Sequence, residues 1–347
     1  MSEFETTAED LCAIYVDMGT TNTRAWLMRG TDVLAHAGKQ VGVRDSARDA
    51  STMRIQIALK ELIATVQEQT NETLDKAWPI CVAGAGMISS PLGLAEVAHV
   101  PAPADLEALS SATRLFQFPE ISALPFLLVP GVRSGASSTD FKMVGRDDVM
   151  RGEETLCVGL QALGLVEAPG VVLNLGSHWK AIQIDSHGRI QSSITSLSGE
   201  LIEAVRKETI LISSLAEDWP NTLSFEWVEA GLQEQRRSGL SRALFCVRLL
   251  ALKNRGTPEE RFSFLLGAFV ASDLDPLVGC GVLVGNTQIV ISGNPLIAQA
   301  WSYALGTMGI RALVATEEQT EKAFLTGLIR ICAQSPVLRK SGELNWA

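Results

Sequence analysis

The strongest constraint on this chain is a segment that it uses twice. Ile14 to Val33 reads IYVDMGTTNTRAWLMRGTDV, Val171 to Ile190 reads VVLNLGSHWKAIQIDSHGRI, and the two align without a gap. Each opens with an apolar run and breaks at a small polar turn, Gly19-Thr20-Thr21 or Gly176-Ser177-His178. Each resumes with a second strand at Ala25-Trp26-Leu27 or Ala181-Ile182-Gln183-Ile184, then turns at Arg29-Gly30-Thr31 or Ser186-His187-Gly188 into a third. Asp17 falls opposite Asn174, and Thr20 opposite Ser177. Short apolar runs punctuated by Gly, Asp and Ser turns predict a β-hairpin extended to a third strand, made twice.

The segments after each repeat extend the parallel. Ser51 to Gln69 has the spacing of an amphipathic helix, Pro79 to Ala83 reads as a buried strand ending in Gly84-Ala85-Gly86, and Phe126 to Val129 as another ending in Pro130-Gly131. In the second half, Glu259 to Ala271 is predicted helical with Thr257-Pro258 as its start. Gly281 to Ile291 reads as a strand ending at Ser292-Gly293-Asn294, Pro295 to Thr307 as a helix with proline in its first turn, and Arg311 to Ala315 as a last strand. Three antiparallel strands followed by alternating helices and strands specify an α/β fold of two duplicated domains, each a mixed sheet flanked by helices. At 347 residues, 46% hydrophobic, the chain is long enough for two cores. The expected division is 11–157 and 158–347, with the last helix free to pack back on the first domain.

Composition removes several function classes. A formal net charge of −10 disfavours general nucleic-acid binding, because such a surface repels phosphate backbones. The six cysteines are scattered without a CxxC pair, and the four histidines are dispersed, so neither a zinc centre nor a disulfide framework is expected. No apolar run is expected to span a membrane, and the acidic, polar stretch from Met1 to Asp10 lacks the layout of a secretory signal, which points to the cytoplasm. The first turn is not GxGxxG and no helix follows Gly19; no GxxxxGK[ST] run occurs anywhere.

The first turn can nevertheless meet a phosphate. Gly19 lets the backbone approach closely, Thr20 and Thr21 add hydroxyls, and Arg24 adds a fork of donors. Asp17, at the end of a buried strand, suits a carboxylate that holds Mg²⁺ through water. The plainer alternative is a hairpin whose Asp and hydroxyls bond their own backbone. A second cluster, Val149-Met150-Arg151-Gly152-Glu153-Glu154-Thr155, precedes an apolar helix from Thr155 to Leu163. Its acids either favour the helix dipole or accept a hydroxyl proton in phosphoryl transfer.

These residues carry a family resemblance. The doubled hairpin resembles the superfamily of acetate and sugar kinases, Hsp70 and actin. Within it the chain is similar to the 2-dehydro-3-deoxygalactonokinase family, in order from about Tyr15 to about Leu328. The matching segments are Val16 to Leu27, Ala83 to Ser90, Val129 to Arg133, Val149 to Thr155, Gly176 to Lys180, Ser198 to Leu201 and Ser292 to Pro295. MRGEET and GSHWK are the specific strings. The resemblance implies transfer of the ATP γ-phosphate to the 6-hydroxyl of 2-dehydro-3-deoxy-galactonate, in two actin-like (ribonuclease H-like) domains with the active-site cleft between them. It implies that Asp17 holds the metal, and that Gly19, Thr20, Thr21, Arg24, Gly176, Ser177 and His178 face the phosphates. Gly293 and Asn294 fall at the helix start beside the adenosine. Glu153 stands where related sugar kinases have Gly-Asp and is the expected base, with Glu154 as rival and Arg151 beside them. Asn22, Met87, Ser89, Arg133 and Lys180 are the expected contacts of the sugar acid. Arg151 could instead pair Asp148 or Glu154, Lys180 could be a solvated strand residue, Arg133 could cap a loop, and His178 shows no carboxylate partner nearby. A homodimer is compatible with the class.

Two departures bear on specificity. Ser177 stands where the family usually has Thr, which keeps the hydroxyl. After Gly86-Met87-Ile88 the family's Ser-Asn-x-Gly-Trp is replaced by Ser89-Ser90-Pro91-Leu92-Gly93-Leu94, in a loop expected to face the sugar. A kinase for another keto-deoxy acid therefore stays open. So do a sugar-sensing regulator, which lacks a spare DNA-binding segment before Leu11, and a silent actin-like assembly protein, which Asp17 and the two glutamates argue against.

Overall fold

The computed structural model describes residues 12–69, 79–135, 140–285 and 287–341. The chain divides into two compact units, one of Met1–Gly164, Arg189–Ser192 and Glu321–Ala347, the other of Leu165–Gly188 and Ser193–Thr320. The division falls after Gly164 rather than at 157, which lies inside a helix. The expected outer limits at 11 and 347 lie outside the described residues.

Unit 1 begins with the hairpin: β1 (Cys12–Met18), β2 (Thr23–Arg29) and β3 (Asp32–Lys39), antiparallel throughout. Two helices follow, α1 (Val43–Asp49) and α2 (Met53–Glu68). α2 buries Ile55, Leu59, Leu62 and Val66, one stripe at helical spacing. β4 (Val82–Gly86) lies parallel to β1, so the glycines expected to end this strand are part of it. β5 (Val100–Pro101), α3 (Leu106–Ala112), β6 (Arg114–Phe116), β7 (Phe126–Leu128), β8 (Val132–Ser134), β9 (Asp148–Met150) and α4 (Glu153–Ala162) complete this stretch. The main sheet runs β3-β2-β1-β4-β7-β6, and β5-β8-β9 form a small one. Ile14, Val16, Leu27, Leu59, Val82 and Phe126 are among its fully enclosed core residues.

Unit 2 repeats the plan. β10 (Gly170–Leu175), β11 (Trp179–Ile184) and β12 (Ile190–Ser196) are followed by α5 (Ser198–Glu208), α6 (Phe225–Ser238), α7 (Leu240–Leu252) and α8 (Pro258–Gly279). β13 (Gln288–Gly293), α9 (Pro295–Thr307) and β14 (Ala312–Val314) close a sheet of order β12-β11-β10-β13-β14. β13 begins at Gln288, not Gly281. Val282 and Leu283 are buried, but in a loop. α8 starts as expected, with Thr257 Oγ1 accepting from the Glu260 amide and Glu260 returning the bond to Thr257 N–H. It runs eight residues further than expected, through Pro276. By length and composition α8 could cross a membrane, against the expectation that no run would. Yet 67% of its most apolar window is buried within the protein, as for a core helix. α10 (Glu317–Ala333) and α11 (Pro336–Ser341) end the chain, and from Glu321 onward it belongs to unit 1. There α10 crosses α4 at Gly159 and Gly327, where a Cβ would strike the backbone of Ala323 and Thr155 respectively.

The duplication goes deeper than the hairpins. Gly42 and Gly199 stand at the same gapless offset as Ile14 and Val171. A Cβ on Gly42 would sit 2.5 Å from the Thr20 carbonyl, and one on Gly199 would strike the carbonyls of Gly176 and Ser177. The helix start behind each turn donates to it: Arg44 N–H to Thr20 O at 2.9 Å, Glu200 N–H to Ser177 O at 2.8 Å. A second pair matches too. Gly86 (φ 83°) and Gly293 (φ 114°) end the parallel neighbours of β1 and β10, opposite Met18 and Leu175. Their missing Cβ atoms would lie 2.6 and 2.5 Å from the carbonyl oxygens of those two residues.

Candidate active site

The first turn is closed by Gly19 N–H donating to Asn22 O at 2.8 Å, which leaves Thr20 and Thr21 half-buried at the tip. Asn22 is exposed and its amide donates to Thr21 Oγ1. Asp17, at the β1 end, keeps 21% of its side-chain surface, and Arg24 from β2 donates to its Oδ2 at 2.7 Å. Burial raises the Asp17 pKa above the usual carboxylate value, and the Arg24 charge opposes that. Arg24 also lies 5.3 Å over the Trp26 ring and 3.7 Å from Glu321 Oε2. Its guanidinium is thus shared between two carboxylates rather than held in reserve for a phosphate alone.

Gly86 brings the second cluster to Asp17. A Cβ there would be 3.5 Å from Asp17 Oδ1, and one on Gly152 would be 3.3 Å from the Gly86 Cα. Gly152 (φ 104°) is the residue before α4, a conformation that only glycine takes without strain. The two acids after it differ sharply. Glu153 is half-buried, and its Oε2 accepts from the Arg151 amide at 3.1 Å. Glu154 is 1% exposed, and both its oxygens accept from the Gly152 amide, at 2.8 and 2.9 Å. Thr155 Oγ1 donates to it as well. Burial first, then the neighbouring Glu153 charge, push the Glu154 pKa up to about 7.

Arg151 pairs with neither Asp148 nor Glu154. Its guanidinium donates to Ser89 Oγ at 3.0 Å and Val97 O at 2.7 Å, and reaches His99 Nδ1 at 3.4 Å. Ser89 is fully buried and bonds Gly86 O, so it fastens the turn after β4 instead of facing a ligand. Ser90 is buried too and closes on Met87 O. The expectation that Ser89 contacts the sugar acid is therefore corrected: both serines turn inward to satisfy a short helical turn, and Met87 is the half-buried member. Arg133 is exposed on β8, while Gly131 leaves room for Arg151, whose Cγ would be 2.6 Å from its Cβ.

Unit 2 holds the second turn. Gly176 is exposed at its tip, and Ser177 and His178 are half-buried. His178 Nε2 lies 3.6 Å from Glu200 Oε1, a carboxylate partner that the chain order hides because it arrives with α5. Asn174, the counterpart of Asp17, accepts from Ser292 Oγ at 3.1 Å. Asn294 caps α9, its Oδ1 accepting from the Leu296 and Ile297 amides at 3.0 and 3.2 Å. Two donors that a helix start offers an anion are thus already in use. Lys180 is 5% exposed on β11, opposite Asn174, and is not a solvated strand residue. Among the described residues no group of three or more His, Cys, Asp or Glu could hold a metal. One carboxylate with an oxygen left beside its arginine fits Mg²⁺ that arrives on a nucleotide and keeps its waters, not a resident ion.

Two β-hairpin-led sheets that share one five-strand order, the first with β6 added at its edge, each with a glycine-locked polar turn, define the fold of the actin-like ATPases and sugar kinases. A solved structure of that fold, the (R)-2-hydroxyglutaryl-CoA dehydratase component A of Acidaminococcus fermentans, superposes with a TM-score of 0.50 at 11% identity, covering 93% of this chain and 99% of its own. Residues 17–331 match the model of one family, and the chain belongs to it: the 2-keto-3-deoxy-galactonokinases. Relatives agree. The chain is 27% identical to the 2-dehydro-3-deoxygalactonokinase of Escherichia coli (strain K12) over 76% of its own length and 80% of the relative's. It is 24% identical to the probable 2-dehydro-3-deoxygalactonokinase DgoK1 of Rhizobium meliloti (strain 1021), over 91% and 95%. A crystal structure from Sinorhizobium meliloti, assigned provisionally to the same activity, superposes with a TM-score of 0.71 at 21% identity, covering 94% of this chain and 99% of its own. Membership makes the chain a sugar kinase, a transferase of carbohydrate metabolism.

Proposed function

We propose that the protein transfers the γ-phosphate of ATP to the 6-hydroxyl of 2-dehydro-3-deoxy-galactonate, in galactonate catabolism. The observation that carries the assignment of roles is the Asp17–Gly86–Gly152 contact, which sets one carboxylate at the phosphate turn and another at a helix start beside it. Phosphoryl transfer asks for little more than positioning, charge neutralisation and one group to accept the hydroxyl proton. Glu153 is the base in this reading, because it is the partly exposed acid of the pair. Glu154, enclosed and bonded to Gly152 N–H, fixes the turn from which Glu153 projects. Asp17 would hold Mg²⁺ through water, and the ion would offset charge on the transferring phosphoryl oxygens. The Gly19–Thr21 and Gly176–His178 turns would offer amides and hydroxyls to the phosphates, and Gly293 and Asn294 would stand beside the adenosine at the start of α9. Asn22, Met87, Arg133 and Lys180 are the partners we assign to the sugar acid. Arg151 acts on the loop after β4 and is a positioning residue.

The test pairs binding with turnover. Glu153→Gln should leave ATP affinity intact and slow transfer by about 10²–10⁴-fold, the usual cost of removing a general base. Asp17→Ala should keep the fold and lose at least about a hundredfold in turnover. Unchanged turnover in Glu153→Gln would pass the role to Glu154, and wild-type turnover in Asp17→Ala would remove it from the mechanism. Coupled ADP release with a panel of keto-deoxy acids identifies the acceptor, and turnover with a different acid alone would replace the galactonate assignment.

A further inference from the structure

Two carboxylates of unit 1 stand within reach of Arg24, and they hold it unequally. Arg24 Nη2 donates to Asp17 Oδ2 at 2.7 Å, whereas Nη1 stands 3.7 Å from Glu321 Oε2, beyond hydrogen-bond distance. The arginine side chain is half exposed, so it has open space in which to turn from one acid to the other.

Glu321 is fixed where Arg24 is free. Its second oxygen, Oε1, accepts from the Trp26 indole N–H at 3.3 Å, and Trp26 is 2% exposed. Phe324, from the next turn of α10, lies against that indole with ring centroids 6.5 Å apart. Beyond it α10 is pressed against the α4 backbone at Gly327. The Arg24 guanidinium already lies over the Trp26 ring, whose face attracts a cation. In an ordinary exposed ion pair both partners move, and the pair contributes little. Here the acid is anchored, one of its oxygens points at the base, and an aromatic face supports the guanidinium.

Asp17 supplies the reason for a second anchor. A carboxylate that holds a divalent ion through water does so best with its charge uncancelled. A guanidinium left at 2.7 Å cancels that charge and repels the ion. We propose that Glu321 is a positioning residue, which takes the Arg24 guanidinium from Asp17 when Asp17 meets the Mg²⁺ of an incoming nucleotide. The proposal rests on the reading of Asp17 given above and adds a residue from the far end of the chain to it.

The test reads binding without turnover. ATP is titrated calorimetrically against the full chain, in EDTA and at a series of Mg²⁺ concentrations. In the wild type Mg²⁺ should tighten ATP, and Asp17→Ala should abolish that gain. Glu321→Gln keeps an oxygen for the Trp26 N–H but no charge for Arg24. It should cut the gain about three- to fivefold, the scale of one partly exposed ion pair, while ATP in EDTA binds as well as before or better. A merely structural role would weaken ATP in both conditions alike. In an Arg24→Met background the same substitution should leave the gain unchanged, because no guanidinium is there to be received. An undiminished gain in Glu321→Gln, equal weakening with and without Mg²⁺, or the same loss in the Arg24→Met background would each overturn the proposal. A gain that survives Asp17→Ala removes the Asp17 reading and this proposal with it. A gain lost in Asp17→Ala but kept in Glu321→Gln removes only the role of Glu321.

Discussion

Glu154→Gln separates the two adjacent acids and can be sized from the structure. Glu154 carries an ordinary value of 4.5 when unfolded and about 7 when folded. Between those values the folded state holds a proton that the unfolded state has lost, so stability falls as pH rises. The contribution is complete below 4.5 and gone above 7, a span worth about 3 kcal/mol at 1.36 kcal/mol per unit. Integrated from about pH 5.5 to about pH 8, the linkage amounts to about 2 kcal/mol. That range stays clear of the isoelectric point near 5.0, where solubility is lowest. Glutamine has no proton to lose and retains an oxygen for the Gly152 amide. The stability of Glu154→Gln relative to wild type should therefore rise by about 2 kcal/mol from the acid to the alkaline end, while other titrating groups cancel in the difference. Urea unfolding at a series of pH values reads this directly. By heat it corresponds to about 4–8 °C for a unit of this size. Parallel pH profiles for the two proteins, within about 0.5 kcal/mol of one another, would refute the buried carboxyl argument.

Two further substitutions probe the contacts of Gly86 and Arg151. Gly86→Ala places a methyl group 2.6 Å from Met18 O at φ 83°, so strain and overlap should cost about 2–5 kcal/mol and displace Asp17. A thermal melt with a turnover assay should show both losses, and an unaltered melt would mean that this strand end yields freely. Arg151→Lys cannot span Ser89 and Val97 with one ammonium, so about 1–3 kcal/mol of stability and much of the turnover should go, with KM rising. Full activity in that variant would leave the loop after β4 without need of its fork.

The hairpins are legible because each is written locally: apolar strand, glycine turn, apolar strand, at a fixed spacing. α9 is legible for a similar reason, with Pro295 at its first turn and Asn294 before it. The extent of β4 is not, because Val82-Ala83-Gly84-Ala85-Gly86 has the composition of a turn. It is a strand because neighbours crowd it: a Cβ on Gly84 would lie 3.0 Å from Ile88. Val282 to Val284 has the opposite fault, an apolar run without a strand partner. In the candidate site, Asp17 and the Glu153–Glu154 pair can be found from chemistry and resemblance. What each side chain touches cannot. Glu200 meets His178 from α5, Arg151 is claimed by Ser89 and Val97 from far upstream, and Glu321 reaches Arg24 from α10. Such pairings depend on how elements pack, which no local pattern records.

Gly42 and Gly199 anchor their turns through main-chain atoms, and that has a consequence for how the two copies could diverge. A scaffold held by peptide groups leaves the side chains above it unconstrained, so one copy could keep an acid at position 17 while its twin drifted to the neutral amide at 174. Swapping those two residues should cost the molecule its chemistry and little of its architecture. Adding a single methyl at 42 or 199 should do the reverse, deforming the shelf on which either side chain stands.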